Sequence, residues 1–368
     1  MVAMMETLIR AAVRDLAEYA PPQDENENLE IRADRNEAAL PAPDHVLAAL
    51  RSLDGRALSR YPTGLMERLA NALARRLDVC VDRLAIGCGA DDLLAALGRA
   101  LLDPGDVVVT VTPTFATYAW LTAVAGARLR CVSYDRRWQL DLDALISAAR
   151  GAKLVILGHP NNPTGDTLSF ETIALLSRAL AGSLIVVDEV YLALSRDSLV
   201  PALSTLHNVA VVGSLSKVAA LAGARVGYAV ARPPLARALR CVMPPFPIGV
   251  ASLAAAHAYL RGGSATAAFE ERLAVQVRRS LDAIVAEAGR LAENVWRGSS
   301  NFVLMDFGAN AAPLAAALRA RGIAVRSFRE PELVGCLRFC ALDDPSTTRF
   351  CASIREAAAE LTSSAVYA

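Results

Sequence analysis

The chain has 368 residues, 54% of them hydrophobic, and its 38 lysines and arginines balance 38 aspartates and glutamates. That length predicts two domains, or a large one with a smaller companion, with ample apolar material for a core. The balanced charge argues against nucleic-acid or anionic-membrane binding, and no apolar run approaches the ~18 residues of a membrane span.

The opening Met1-Val-Ala-Met-Met-Glu6 lacks the basic-then-apolar order of a secretory signal. Seven scattered cysteines, an odd number with no CxxC pair, read as reduced thiols in a cytoplasmic protein. Residues 1–20 have a helical pattern, and residues 20–44, rich in Pro, Asn and Glu, read as an extended arm. From 45 to 250 short apolar strands at 107–111, 154–157, 184–187, 209–212 and 226–230 alternate with helices such as 91–102 and 170–181. That alternation predicts an α/β domain whose mostly parallel sheet is covered on both faces. After 250 the texture changes to helical periodicity over 251–292, then a strand at 301–306, a helix at 312–321, short strands near 323–327 and 336–340, and a last helix at 346–361. This predicts a large domain over 45–250 and a smaller α+β domain over 251–368. The segment 1–44 is expected to pack with the small domain or with a partner subunit.

Four loops carry candidate chemistry. Gly213-Ser-Leu-Ser-Lys217 follows a strand, and Arg225 lies eight residues beyond the lysine. Loops after parallel strands lie at the sheet edge where ligands bind. Two hydroxyls, an ammonium and a guanidinium suit a phosphate, and such a lysine also serves as a Schiff-base nucleophile. Taken alone, Ser-x-Ser-Lys reads as a solvated surface loop. Val186-Val-Asp188-Glu-Val-Tyr191 ends an apolar strand in a carboxylate that could pair with a pyridinium nitrogen or simply cap a turn. His159-Pro-Asn-Asn162-Pro-Thr-Gly165 forces a defined turn that would present the Asn162 amide to a ligand. Ile86-Gly-Cys-Gly89-Ala-Asp91 opens a helix whose free N–H groups form an anion site. Asp91 and Asp92 also suit the first turn of any helix.

Together these residues resemble the fold-type I, class I and II aminotransferases, most closely the histidinol-phosphate aminotransferase group, over about 19–343. The resemblance rests on an ordered set: Tyr61-Pro, Gly89-Ala-Asp91, Pro113-Thr-Phe115, Asn161-Asn-Pro-Thr-Gly165, Asp188-Glu-Val-Tyr191, Ser214-Leu-Ser-Lys217, Arg225, Ser300-Asn-Phe302 and Cys336-Leu-Arg338. It implies an aspartate aminotransferase-like fold, pyridoxal 5′-phosphate (PLP) held by Lys217 as a Schiff base, and a homodimer with shared active sites. Asp188 would keep the pyridine nitrogen protonated, and Tyr191 and Asn162 would hydrogen-bond the phenolic oxygen. Phe115, where many relatives carry Tyr, would stack on the ring. Gly89, Ala90, Asp91, Ser214, Ser216 and Arg225 would cradle the phosphate, joined by Tyr61 from the neighbouring subunit. Arg338 would bind a substrate carboxylate or phosphate, with Arg326 and Tyr19 as further substrate contacts.

Two departures fall near the substrate entrance. The family's Asn-Glu-Asn-Pro is Asn36-Glu-Ala-Ala here, and the glycine of its Tyr-x-Pro-Gly is Pro22. The four histidines are isolated, which gives no catalytic dyad or metal site. The function implied is ping-pong amino transfer between L-histidinol phosphate and 2-oxoglutarate. An aromatic or other amino acid aminotransferase and a threonine-phosphate decarboxylase-like PLP enzyme share the motifs. A cofactor-binding DNA regulator fits the balanced charge poorly.

Overall fold

The structure, a computed structural model, describes residues 8–14, 16–17, 29–135, 137–192 and 197–366. Of the helix expected over 1–20, the described residues include one turn, Ala11–Arg14, and Tyr19 lies outside them.

The arm contributes β1 (Ile31–Arg32). A seven-stranded sheet follows, built from β2 (Leu84–Gly87), β3 (Val107–Thr112), β4 (Arg128–Ser133), β5 (Leu154–Gly158), β6 (Leu184–Asp188), β7 (Val209–Ser214) and β8 (Gly227–Val230). Its order is β2-β8-β7-β6-β5-β3-β4, with β8 alone antiparallel to its neighbours. The five expected strands are present, and β2 and β4 are additional. β4 lies at the sheet edge, where Arg128 and Arg130 are exposed and keep it from pairing further.

Alternate residues of the central strands feed two cores, because strand side chains point to opposite faces in turn. Val107, Val109 and Val111 join Val155, Leu157, Val187 and Val211 on one face. Val108 joins Leu154, Ile156, Val186 and Val212 on the other, under the helices Gly89–Leu101 and Pro233–Val242. Burying each such valine or leucine contributes roughly 1.5–3 kcal/mol, so these continuous apolar runs are stable only inside a covered sheet.

The remaining chain forms β9 (Asn294–Trp296), β10 (Phe302–Asp306), β11 (Ile323–Ala324), β12 (Arg326–Ser327) and β13 (Cys336–Cys340). Four of these make an antiparallel sheet in the order β12-β13-β10-β9, while β11 pairs with β1 in parallel. The Cys340 N–H donates to the Ala33 carbonyl at 2.9 Å, so the arm is stitched to this second sheet. The helix Val250–Arg261 packs on helices Asp44–Arg51 and Leu65–Leu77, whereas the helix Ser264–Ala288 packs on Asp344–Val366. The arm and β13 together cover the carboxyl edge of the large sheet, and the site lies between them.

Candidate active site

The carboxyl ends of β2, β3, β5, β6 and β7 share one edge of the large sheet. β2 belongs with the others because it is antiparallel to β8, which is antiparallel to β7. From β3 the chain runs outward to β4 and then back across to β5, which makes a topological switch point beside β3. Asp188 ends β6, and Phe115, Asn162 and Lys217 follow the ends of β3, β5 and β7.

An anion cradle forms where β2, β7 and β8 meet. A Cβ on Gly227 would lie 2.3 Å from the carbonyl carbon of Gly89, and a Cβ on Gly89 would lie 2.6 Å from Arg225 Nη2. Only a glycine at 227 allows this backbone approach, and Gly89 has φ +83°, where a side chain would be strained. The helix Gly89–Leu101 therefore begins with its free N–H groups facing the Arg225 guanidinium. The Ser214 hydroxyl donates to Ser216 Oγ at 2.9 Å, and Arg225 Nη1 reaches the same oxygen at 3.4 Å. Arg225 Nη2 pairs with the Asp91 carboxylate at 3.2 Å. Two serine hydroxyls, a helix N-terminus and a guanidinium converge here, the donor set a phosphate needs.

Asp188 is buried at the end of β6. It accepts the Tyr118 hydroxyl at 2.9 Å and the Val190 N–H at 3.1 Å. Burial raises its pKa to about 6, against the lowering pull of those two donors. Such a carboxylate still ionises near neutral pH and would gain a protonated ring nitrogen as counter-ion. Glu189 next to it faces away from this edge, accepting from the Ser198 hydroxyl and the Leu199 N–H, and burial raises its pKa to about 7.

Lys217 and Arg338 face the arm. Lys217 Nζ donates to the Arg35 carbonyl at 2.8 Å, and Arg338 Nη2 donates to the Asp34 carbonyl at 2.6 Å. Burial is the main cause that lowers the Lys217 pKa, helped by the charges of Arg338 and Arg225. A lowered ammonium pKa supplies more of the neutral, nucleophilic amine. Arg338 also donates to Asn162 Oδ1 and lies over the Phe302 ring at 5.3 Å, while its buried Nε has no partner among the described residues. Asn162 Oδ1 is thus committed, which leaves its Nδ2 donor for a ligand oxygen. A cavity of ≈ 390 Å³ reaches Lys217 and Tyr191, between Ser300, Asn301 and the helix face of Leu273, Val277 and Leu281.

The other expected site residues are spread around this centre. Phe115 is half-buried after β3, edge-on to Tyr118. Tyr61 is 76% exposed and stacks on Phe246 with 4.8 Å between ring centroids, turned away from its own chain's core. Arg326 is exposed on β12, directly opposite Arg338 in register, with its guanidinium 5.6 Å from the Phe328 ring. Asn161, the first of the tandem asparagines, is structural: its amide donates to the Pro113 carbonyl and Thr114 donates to its oxygen. Three residues at the site carried no assignment from sequence. Tyr118 lies three residues after Phe115, and Asn36 and Asn301 stand inside recognised motifs whose partners are distant in sequence.

A cofactor with a phosphate, a basic ring nitrogen and an aldehyde fits this set: the glycine-walled cradle, the buried carboxylate and the lysine. The family model for "Aminotransferase class I and II" matches residues 28–354. The chain belongs to this family. The histidinol-phosphate aminotransferase of Roseiflexus castenholzii is 33% identical to this aminotransferase over 326 residues, covering 84% of each chain. That of Symbiobacterium thermophilum is 32% identical over 364 residues, covering 96% of this chain and 99% of its own. Among solved structures, the histidinol-phosphate aminotransferase of Sinorhizobium meliloti in complex with pyridoxal-5′-phosphate superposes with a TM-score of 0.86 at 29% identity, over 96% of this chain and 98% of that one. A Thermus thermophilus aspartate aminotransferase mutant superposes at 0.76 and 25% identity, over 89% and 96%. The aminotransferase therefore has the aspartate aminotransferase-like fold with a mostly parallel central sheet.

Proposed function

We propose that this aminotransferase uses PLP to move the amino group of L-histidinol phosphate to 2-oxoglutarate, giving imidazole acetol phosphate and L-glutamate, as a homodimer with shared sites. The observation that carries the substrate is the pair Arg326 and Arg338, direct cross-strand neighbours on β12 and β13. Directly opposed residues project from the same sheet face, so two guanidinium-bearing side chains leave one face side by side and suit a phosphate or dicarboxylate rather than a neutral side chain. The relatives named above support the same reading.

PLP, when bound, supplies a sink for the electrons freed as the substrate α-C–H bond breaks. Lys217 Nζ would hold the cofactor, and once released would take the substrate α-proton and pass it to the cofactor. The Asp188 carboxylate would keep the ring nitrogen protonated. Phe115 would stack on the ring, and Tyr191 and Asn162 would donate to its phenolic oxygen. Ala90, Asp91, Ser214, Ser216 and Arg225 would hold the phosphate through N–H, O–H and guanidinium groups, with Tyr61 of the second subunit. Among the described residues no helix is long and apolar enough to cross a membrane, and all seven cysteines are free.

The test is an absorption spectrum of the PLP-loaded protein. A visible band that bleaches with L-histidinol phosphate and returns with 2-oxoglutarate is expected. A band unmoved by that donor but bleached by aromatic amino acids overturns the substrate, and CO₂ release without an oxo acid overturns amino transfer. Arg326→Ala should raise KM for the phosphorylated donor roughly ten- to hundredfold, the equivalent of one charge-assisted pair, and leave kcat nearly unchanged.

A further inference from the structure

The arm segment 34–37 lies against the site in an unusual way: catalytic-site side chains read its backbone, and its most deeply buried side chain, Asn36, reads a catalytic-site residue. Arg338 binds the Asp34 carbonyl and Lys217 the Arg35 carbonyl. Asn301 Nδ2 donates to both the Asn36 and Glu37 carbonyls at 3.0 Å. Asn36 itself is 1% exposed and has φ +52°, in the left-handed region. Its Nδ2 donates to the Tyr191 hydroxyl at 2.8 Å. Asparagine tolerates this backbone better than most residues, and unlike glycine it also brings an amide donor.

We infer that Asn36 is a positioning residue for Tyr191: by occupying a lone pair of the phenolic oxygen as a donor, it directs the Tyr191 proton toward the cofactor. A phenol has one proton and two acceptor sites. With the Asn36 N–H filling one acceptor site, the Tyr191 proton cannot point at Asn36 and is left for the phenolic oxygen of the ligand. The Tyr191 ring is held edge-on against Phe302 at 5.1 Å, so the direction of the hydroxyl proton is the freedom that remains. Asn301 fixes the Asn36 backbone through the two carbonyl contacts, and its residue neighbour Phe302 supports the Tyr191 ring. The titratable groups facing Tyr191 are Arg338, Asp188, Cys340 and Tyr118, and those facing Lys217 are Cys340, Arg338, Glu37 and Arg225. None of them occupies the position of the Asn36 amide.

The inference rests on the PLP reading, and the test separates the two. The measurement is the pH midpoint of the visible band of the PLP-loaded protein, with the cofactor dissociation constant and melting temperature alongside. A Tyr191 proton donated to the cofactor's phenolic oxygen favours the form in which the lysine–cofactor nitrogen is unprotonated, so losing it raises the midpoint. Asn36→Asp keeps the shape but replaces the donor with an acceptor that draws the Tyr191 proton away. It is expected to raise the midpoint by about one pH unit, the scale of one lost hydrogen bond to a charged group. Asn36→Gly keeps the left-handed backbone and the Asn301 contacts, and should give a smaller rise in the same direction. Both shifts should largely vanish in a Tyr191→Phe background, because they act through that hydroxyl. Equal shifts with and without the Tyr191 hydroxyl would reveal a direct field effect and overturn the inference. A lowered melting temperature with an unmoved midpoint would make Asn36 a purely structural anchor and overturn it too. If the unaltered protein forms no visible band with PLP, the cofactor reading fails and takes this inference with it.

Discussion

Tyr118 and Asp188, 70 residues apart in the chain, share a buried hydrogen bond of 2.9 Å at the floor of the site. The phenol donates, so the bond favours the ionised carboxylate, and burial opposes it. The balance leaves Asp188 with a pKa of about 6, low enough to be charged at neutral pH and high enough to make the charge sensitive to its one side-chain donor.

Tyr118→Phe should therefore push the Asp188 pKa further up and leave more of it neutral at pH 7. The PLP dissociation constant is expected to rise roughly tenfold at pH 7, more at pH 6, and least at pH 8, as befits one lost bond to a charged group. Absorbance titrations at the three pH values check this. An equal change at all three would assign Tyr118 to packing alone.

Glu189 should make the cofactor-free protein less stable as pH rises. Its pKa is raised from 4.5 to about 7 in the fold, so the native state holds a proton that the unfolded chain has lost. The stabilisation is complete below the unfolded value and disappears as pH climbs through the folded one, a change on the order of a few kcal/mol. Glu189→Gln keeps an acceptor for the Leu199 N–H and cannot ionise. Its urea midpoint should differ less between pH 5 and pH 8 than that of the unaltered protein, and an identical difference would show that Glu189 does not titrate in this window.

Arg338→Lys keeps the charge but loses the planar fork that reaches Asn162 and the Asp34 carbonyl together. Steady-state kinetics should show KM rising about a hundredfold for both donor and acceptor, with kcat falling less, on the order of 3 kcal/mol of binding. A variant with unchanged KM would remove Arg338 from substrate recognition.

Tyr61→Phe preserves the ring stacked on Phe246 and removes only the hydroxyl. If that hydroxyl reaches the phosphate of the second subunit, the variant should remain dimeric in sedimentation while its PLP dissociation constant rises several-fold. A weakened dimer with intact cofactor affinity would make the aromatic pair an interface element only.

Much of the site was legible because its residues sit in short local patterns. Lys217, Asp188 and Asn162 each end or follow an apolar strand, and strand ends in a parallel sheet converge on one edge whatever the loops contain. β4 was not legible for the opposite reason. Arg128, Leu129 and Arg130 lack an apolar run because an edge strand has only one neighbour and need not be buried. Tyr118 gave no signal either, since a tyrosine in a helix differs from any core aromatic only by what its hydroxyl meets.

The sequence by itself determined the fold class, since strand periodicity and turn chemistry act over a few residues, and its ordered motifs carried the resemblance that implies the PLP residues. Only the tertiary structure decided which polar groups meet: Asn36 with Tyr191 across 155 residues, Arg338 with the Asp34 carbonyl across 304, and Arg326 in register with Arg338. A hydrogen bond requires its two atoms within about 3 Å, a condition set by how the arm, β13 and the large sheet pack together.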